Sequence, residues 1–190
     1  EKANLPVVTT LKAKGAFPEN HPLSVGVRGD HVLKYMNDAD LIFAVGASIS
    51  PGRFGHGIPD ATNKKIIQCN IDEYDINRMY PTTHAVIGDA KAILQSLVDE
   101  LGNGSNEQRD RIEKEIASTT DQAMAQYHEV FTSDAKPINP YRVYGDLMKV
   151  LDRNNSFVTH ESGNTRDQLS TVYETLIPRG FLGWGNVSSL

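Results

Sequence analysis

Asp40-Leu-Ile-Phe-Ala-Val45 is a continuous apolar run that stops at Gly46. A strand with one solvated face alternates apolar and polar residues, whereas a continuous run is typical of a strand buried on both faces. Lys65-Ile-Ile-Gln-Cys-Asn-Ile71 repeats the pattern, and Ala85-Val-Ile87 is a third, shorter run. Because such strands pack in parallel sheets covered by helices, these three segments predict an α/β fold.

The segments around these runs complete the pattern. Residues 5–10 form a β-branched strand, and residues 30–37 and 73–78 are predicted helices. A further helix spans residues 89–101, with Asp89 as its N-cap. Strands and helices that alternate through short connections predict a Rossmann-like, doubly wound parallel sheet over residues 1–101.

The second half of the chain is organised differently. Gly102-Asn-Gly-Ser-Asn106 is a flexible break, and residues 107–131 predict one long helix whose apolar stripe packs on its own protein or on a partner helix. The linker therefore covers residues 102–138. Asn139-Pro140 is a helix start, with a cap and then a proline at the first position. A helix to residue 151, a strand at 156–160 and a helix at 167–176 predict the beginning of a second α/β domain over 139–190.

A small polar turn, Glu161-Ser-Gly-Asn-Thr-Arg166, joins that strand to that helix. Backbone N–H groups at a helix N-terminus lack intrahelical partners, and the helix dipole favours an anion there. The turn is therefore a candidate site for phosphate oxygens.

Composition narrows the class of protein. The chain has 190 residues, of which 39% are hydrophobic, and a formal net charge of −5. The negative charge argues against nonspecific nucleic-acid binding. No apolar run approaches the ~20 residues that span a membrane. The single cysteine, Cys69, is predicted to be buried and inert, and it suits a cytoplasmic protein.

Other chemical motifs are weak or missing. The glycines Gly46, Gly52, Gly55 and Gly57 follow a strand, and Asp72 ends the next strand. This loosely resembles a dinucleotide site, although the G-x-G-x-x-G spacing is absent and an ordinary loop explains the glycines equally. The histidines show no metal-ligand spacing, and no nucleophile elbow or P-loop motif is present.

Four stretches resemble the central domain of thiamine diphosphate (ThDP) enzymes of the acetolactate synthase and benzoylformate decarboxylase group. They are residues 5–24 (LPVVTTLKAKGAFPENHPLS), 39–47 (ADLIFAVGA), 67–72 (IQCNID) and 86–91 (VIGDAK). The segment 139–190 is similar to the start of the domain that holds the cofactor diphosphate, with matches at 161–165 and 186–190.

The resemblance implies a role for particular residues. Gly163, Asn164 and Thr165 fall where the family contacts the diphosphate, and Leu190 falls where a bulky apolar residue supports the bent cofactor. It also implies a ThDP- and Mg²⁺-dependent lyase or transferase that acts on 2-keto acids, with the cofactor ring as electron sink, and a homo-oligomer.

Three family features are absent from this sequence: the activating glutamate of the pyrimidine-binding domain, the magnesium motif and the first strand of the central domain. We therefore expect a fragment that is inactive alone, binds ThDP weakly and has an exposed sheet edge. Glu161 is not that glutamate, and we expect it to shape its turn. Some relatives hold FAD or an ADP-containing ligand on the central domain, and the candidate positions are Arg53, Asn70, Asp89 and Ala90.

Two other functions stay open. One is a nucleotide-binding domain of an oxidoreductase, which predicts that residues 1–101 bind NAD or FAD without the rest. The other is a non-catalytic assembly module.

Overall fold

The computed structural model describes residues 1–50 and 57–183. In these ranges every strand pair is parallel and helices lie between the strands, which confirms the α/β class. None of the helices in the described part of the chain is long and apolar enough to cross a bilayer.

The elements follow one another in this order. The strands are β1 (Val7–Val8), β2 (Ser24–Gly26), β3 (Leu41–Val45), β4 (Lys65–Asn70), β5 (His84–Ile87), β6 (Val158–His160) and β7 (Phe181–Gly183). The α-helices are α1 (Asp30–Asp38), α2 (Ala90–Glu100), α3 (Asn106–Ala125), α4 (His128–Phe131), α5 (Pro140–Val150) and α6 (Asn164–Val172). Short 3-10 helices lie at Leu11–Ala13, Ala61–Asn63 and Glu73–Asp75.

These elements form two compact units. The first unit contains Ala3–Val32 and the chain from Ser105 onward, and the second contains Leu33–Gly104.

The second unit is built on the sheet β3-β4-β5. Leu41 pairs with Lys65 and Ile67 pairs with His84, so β4 is the central strand. Burial follows from this order: Ile66 and Cys69 of β4 are fully buried, whereas Leu41 of β3 is 44% exposed. The continuous apolar run therefore predicted burial on both faces correctly for β4. The outer strands β3 and β5 are more exposed than their apolar runs predicted. Burial also raises the pKa of the Cys69 thiol, with a smaller effect from Asp89.

The first unit contains two separate strand pairs, β1-β2 and β6-β7. Its core lies between α5, α6 and the β6-β7 pair, and its buried members are Tyr144, Val158, Leu169, Val172, Tyr173 and Phe181. The single sheet predicted for residues 1–101 is therefore wrong in one respect, because β1 pairs with β2 and not with β3. The strands β2 and β7 had no counterpart in the prediction.

The predicted single helix over 107–131 is interrupted. α3 ends at Ala125 and α4 begins at His128, with Tyr127 N donating to Met124 O in between. The interruption lets the Tyr127 ring pack 5.0 Å from the Tyr141 ring. α4 also approaches α5 closely, since a Cβ on Gly145 would lie 3.1 Å from Phe131 Cβ.

Candidate functional site

The turn between β6 and α6 is a strand-to-helix corner, as the sequence predicted. β6 ends at His160 and α6 begins at Asn164. Gly163, Asn164 and Thr165 lie together at this helix start, and all three are exposed. The structure therefore brings these three predicted site residues together, while Leu190 lies outside the described residues.

Gly163 occupies the N-cap of α6 with φ 88° and ψ −145°, a backbone region that is essentially restricted to glycine. Gly163 has no side chain with which to cap the helix, and within residues 1–50 and 57–183 the structure gives no side-chain cap at this helix start, so the first N–H groups of α6 suit other acceptors. A Cβ built on Gly163 would meet no atom of the described residues within 4 Å. The corner is thus open, and its amide donors and helix dipole suit an anionic ligand.

The residues before Gly163 shape the turn. Glu161 Oε1 accepts a hydrogen bond from Ser162 N at 2.8 Å, and His160 Nδ1 lies 2.8 Å from Glu161 O. The first contact is the turn-shaping role expected of Glu161. His160 is buried, and its Nε2 has no hydrogen-bond partner among the described residues.

The first turn of α6 also carries a cluster of charges. Arg166 Nε lies 2.9 Å from Asp167 Oδ1, and Arg28 Nη1 lies 2.6 Å from the same oxygen. The hydrogen bond from Arg166 lowers the pKa of Asp167, with a further contribution from Arg28 against partial desolvation. Sequence reasoning missed Arg28, because its partner lies 139 residues away and no local pattern connects them.

The carboxyl edge of the β3-β4-β5 sheet is the second candidate site. Asn70 Nδ2 lies 3.4 Å from Asp75 Oδ2, and Asn70 Oδ1 accepts from Asp72 N. Asp89 Oδ1 accepts from Ala92 N at 3.0 Å and so caps α2, as predicted.

These polar groups are therefore engaged in local structure. Ala90 is the first residue of α2. Arg53, Gly52 and Gly55 lie outside the described residues.

Buried Gln68 ties the loops of that edge together. Its amide nitrogen donates to Ala47 O at 3.2 Å and to Asp75 O at 2.9 Å, while its oxygen accepts from Asn77 N and from the Thr82 hydroxyl. Among residues 1–50 and 57–183, no group of three or more His, Cys, Asp or Glu side chains is arranged to hold a metal ion.

The fold and this corner define a parallel α/β protein with an open, glycine-capped helix start after a strand. Residues 1–97 match the family described as thiamine pyrophosphate enzyme, central domain. The chain therefore belongs to the thiamine pyrophosphate enzymes. Thiamine pyrophosphate is another name for thiamine diphosphate.

Curated relatives agree with this assignment. The chain is 29% identical over 204 residues to the probable acetolactate synthase large subunit of Methanococcus aeolicus, covering 100% of this chain and 34% of that protein. It is 27% identical over 188 residues to the oxalyl-CoA decarboxylase of Escherichia coli (strain K12), covering 97% of this chain and 32% of that protein. The chain thus spans about a third of the length of these relatives.

A solved structure is similar as well. The benzoylformate decarboxylase from Polynucleobacter necessarius superimposes with a TM-score of 0.68 at 19% identity, covering 96% of this chain and 33% of that chain. At this identity the likeness concerns the fold.

Proposed function

We propose that this chain is part of a ThDP- and Mg²⁺-dependent lyase or transferase that acts on 2-keto acids, by decarboxylation or by acetolactate-type carboligation. Membership of the thiamine pyrophosphate enzymes supports the cofactor, and the similarity to an acetolactate synthase and to an oxalyl-CoA decarboxylase supports the two reaction types. In this proposal residues 1–101 are the central domain, 102–138 the linker and 139–190 the start of the diphosphate-binding domain.

The observation that carries the proposal is the open corner at Gly163. Its exposed backbone and the uncapped start of α6 fit a diphosphate, and Asn164 and Thr165 would add side-chain donors. Leu190 would be the bulky apolar residue that supports the bent cofactor, as the resemblance implies. ThDP, when bound, supplies an electron sink for loss of CO₂ from a 2-keto acid.

Two parts of the proposed site, the metal ligands and the activating glutamate, have no match among these 190 residues. The metal ligands and the activating glutamate would come from other segments or from a second subunit, so the 190 residues alone are expected to be inactive and to bind ThDP weakly. We include a homo-oligomer and a cytoplasmic location in the proposal. Binding of FAD to the central domain stays a prediction. Among the described residues, the candidates to contact it are Asn70, Asp89 and Ala90.

The experiment is a calorimetric titration of ThDP with Mg²⁺ into the protein at the full length that its gene encodes. Gly163→Ala is compared with Gly102→Ala, since Gly102 has open space around it and no positive φ. We expect saturable, Mg²⁺-dependent binding that Gly163→Ala weakens and Gly102→Ala leaves unchanged. Tight binding of NAD and none of ThDP would reject the proposal and favour the oxidoreductase alternative.

A further inference from the structure

The helix α6 is held at both of its ends by one remote stretch of the first unit, residues 14–28. At the N-terminal end, Arg28 Nη1 contacts Asp167 Oδ1 at 2.6 Å. At the other end, Thr175 N donates to Glu19 Oε2 at 2.7 Å, and Glu19 N donates to Thr175 O at 3.0 Å. Lys14 Nζ also donates to both oxygens of the Glu19 carboxylate, at 2.6 Å each.

The two ends differ in what they contribute. The contacts of Glu19 with Thr175 lie beyond the C-terminus of α6, and they fix the chain where it leaves the helix. The contact of Arg28 lies in the first helical turn, three residues from Asn164 and four from Gly163. Among the hydrogen bonds and ion pairs of the described residues, this contact joins the remote stretch to the helix start at which the diphosphate is proposed to bind.

Asp167 raises an electrostatic problem for that turn. A carboxylate in the first turn stabilises the helix through its dipole, but it repels an anionic ligand that approaches the same helix start. Arg166 and Arg28 both lie on one oxygen of Asp167 and offset its charge. Arg166 belongs to α6 itself, whereas Arg28 comes from the remote stretch and joins the helix to it.

We propose that Arg28 is a positioning residue for the cofactor diphosphate, acting through Asp167: it fixes the first turn of α6 and neutralises the carboxylate that this turn carries. This inference rests on the proposed ThDP function. The side chains of Arg28 and Asp167 are 24% and 37% exposed, so the pair is partly open to solvent and its influence depends on salt.

The test is a double-mutant cycle on ThDP affinity in the full-length protein, measured by calorimetry with saturating Mg²⁺. Arg28→Met leaves Asp167 with one cation fewer, and we expect the ThDP dissociation constant to rise about 5- to 10-fold at low salt. Arg28→Lys keeps a charge that can reach a single oxygen, so affinity returns to within about 2-fold of the wild type. Asp167→Asn keeps an acceptor without the charge, and Arg28→Met in that background is expected to have little further effect.

Two measurements separate positioning from a general loss of structure. The loss of affinity in Arg28→Met should shrink at about 0.5 M salt, because screening acts on the charge and not on packing. Thermal unfolding of the cofactor-free variants reports stability independently. Arg142→Met removes an ion pair with Asp146 within α5, and as the matched control it should leave ThDP affinity unchanged.

The outcomes are distinct. The role of Arg28 is wrong if Arg28→Met leaves the ThDP dissociation constant unchanged. It is also wrong if Arg28→Met weakens ThDP binding equally in the Asp167→Asn background. In both cases ThDP binding by the wild type would still support the proposed function. Should Arg28→Met not fold, failure of Arg28→Lys to retain affinity in a protein of normal stability also overturns the role of Arg28. If the full-length wild type binds no ThDP, the proposed function itself is wrong.

Discussion

The ammonium group of Lys14 lies 2.6 Å from both carboxylate oxygens of Glu19, and the two side chains are only 2% and 9% exposed. Lys14 also lies over the Phe181 ring, 5.4 Å from its centroid. Burial lowers the pKa of Lys14, although the neighbouring Glu19 acts in the opposite direction. The pair therefore joins two buried charges that depend on each other.

Breaking this pair should be costly. Lys14→Met leaves a buried carboxylate, and Glu19→Gln leaves a buried ammonium group, so each single change is expected to destabilise the chain by about 3–5 kcal/mol. The double variant Lys14→Met with Glu19→Gln leaves no unpaired charge. Its loss of unfolding free energy should therefore be clearly smaller than the sum of the two single losses. Urea unfolding of the three variants measures this, and additive effects would show that the two charges do not depend on each other.

Gly15 next to this pair should tolerate no side chain. Its φ is +87°, and a Cβ would lie 2.6 Å from Thr175 Cγ2 and 2.7 Å from Ile177 O. Strain and overlap with a backbone oxygen together predict a loss of at least about 2 kcal/mol for Gly15→Ala.

Gly102→Ala is the control for this change, since nothing lies within 4 Å of a Cβ at Gly102. It should change stability by about 0.5 kcal/mol or less. Equal unfolding midpoints for the two variants would contradict the packing of Gly15 against the segment after α6.

Local chemistry explains which elements the sequence predicts well. Asn139 Oδ1 accepts from Tyr141 N at 2.9 Å, so the cap-and-proline start of α5 forms as expected. The end of β6 at His160 also agrees, whereas α6 covers Asn164–Val172 and not the predicted residues 167–176. These features depend on neighbours within a few residues, which a sequence displays directly.

Features that depend on remote partners were not predictable in this way. The strands β2 and β7 have three residues each, and they are defined only by pairing with β1 and β6. The interruption before α4 coincides with packing of the Tyr127 ring on Tyr141 of α5, a partner that the local sequence does not reveal. Likewise, the role of Arg28 depends on its contact with Asp167, and the role of Lys14 depends on the burial of its pair with Glu19. No spacing pattern in the sequence reveals either.

Asp167 should make stability depend on pH in the acid range. Its pKa in the folded chain is lowered from the ordinary value of 3.8, mainly by the hydrogen bond from Arg166. As the pH falls, the unfolded chain therefore binds the proton first. The stabilisation is complete above the unfolded pKa and is lost as the pH decreases from about 4 through the folded pKa.

The measurement is the free energy of unfolding between pH 5 and pH 2. Asp167→Asn should lose less stability over this interval than the wild type, by a modest amount because the carboxylate is 37% exposed. Asp121→Asn, at an exposed position of α3, should follow the wild-type curve. A parallel curve for Asp167→Asn would show that its ion pairs contribute no pH dependence.

The outer strands of the second unit should promote self-association of the isolated chain. β3 and β5 are the edges of the described sheet, and Leu41 and Ile87 on them are 44% and 53% exposed. Edge strands with apolar side chains offer unpaired backbone groups to a second copy, and a lysine at such a position opposes pairing. Ile87→Lys should therefore reduce the concentration dependence of the sedimentation coefficient. Val150→Lys is the matched control, because Val150 is 77% exposed on α5 and lies on no sheet. An equal effect of both substitutions would assign the association to general surface hydrophobicity and not to the sheet edge.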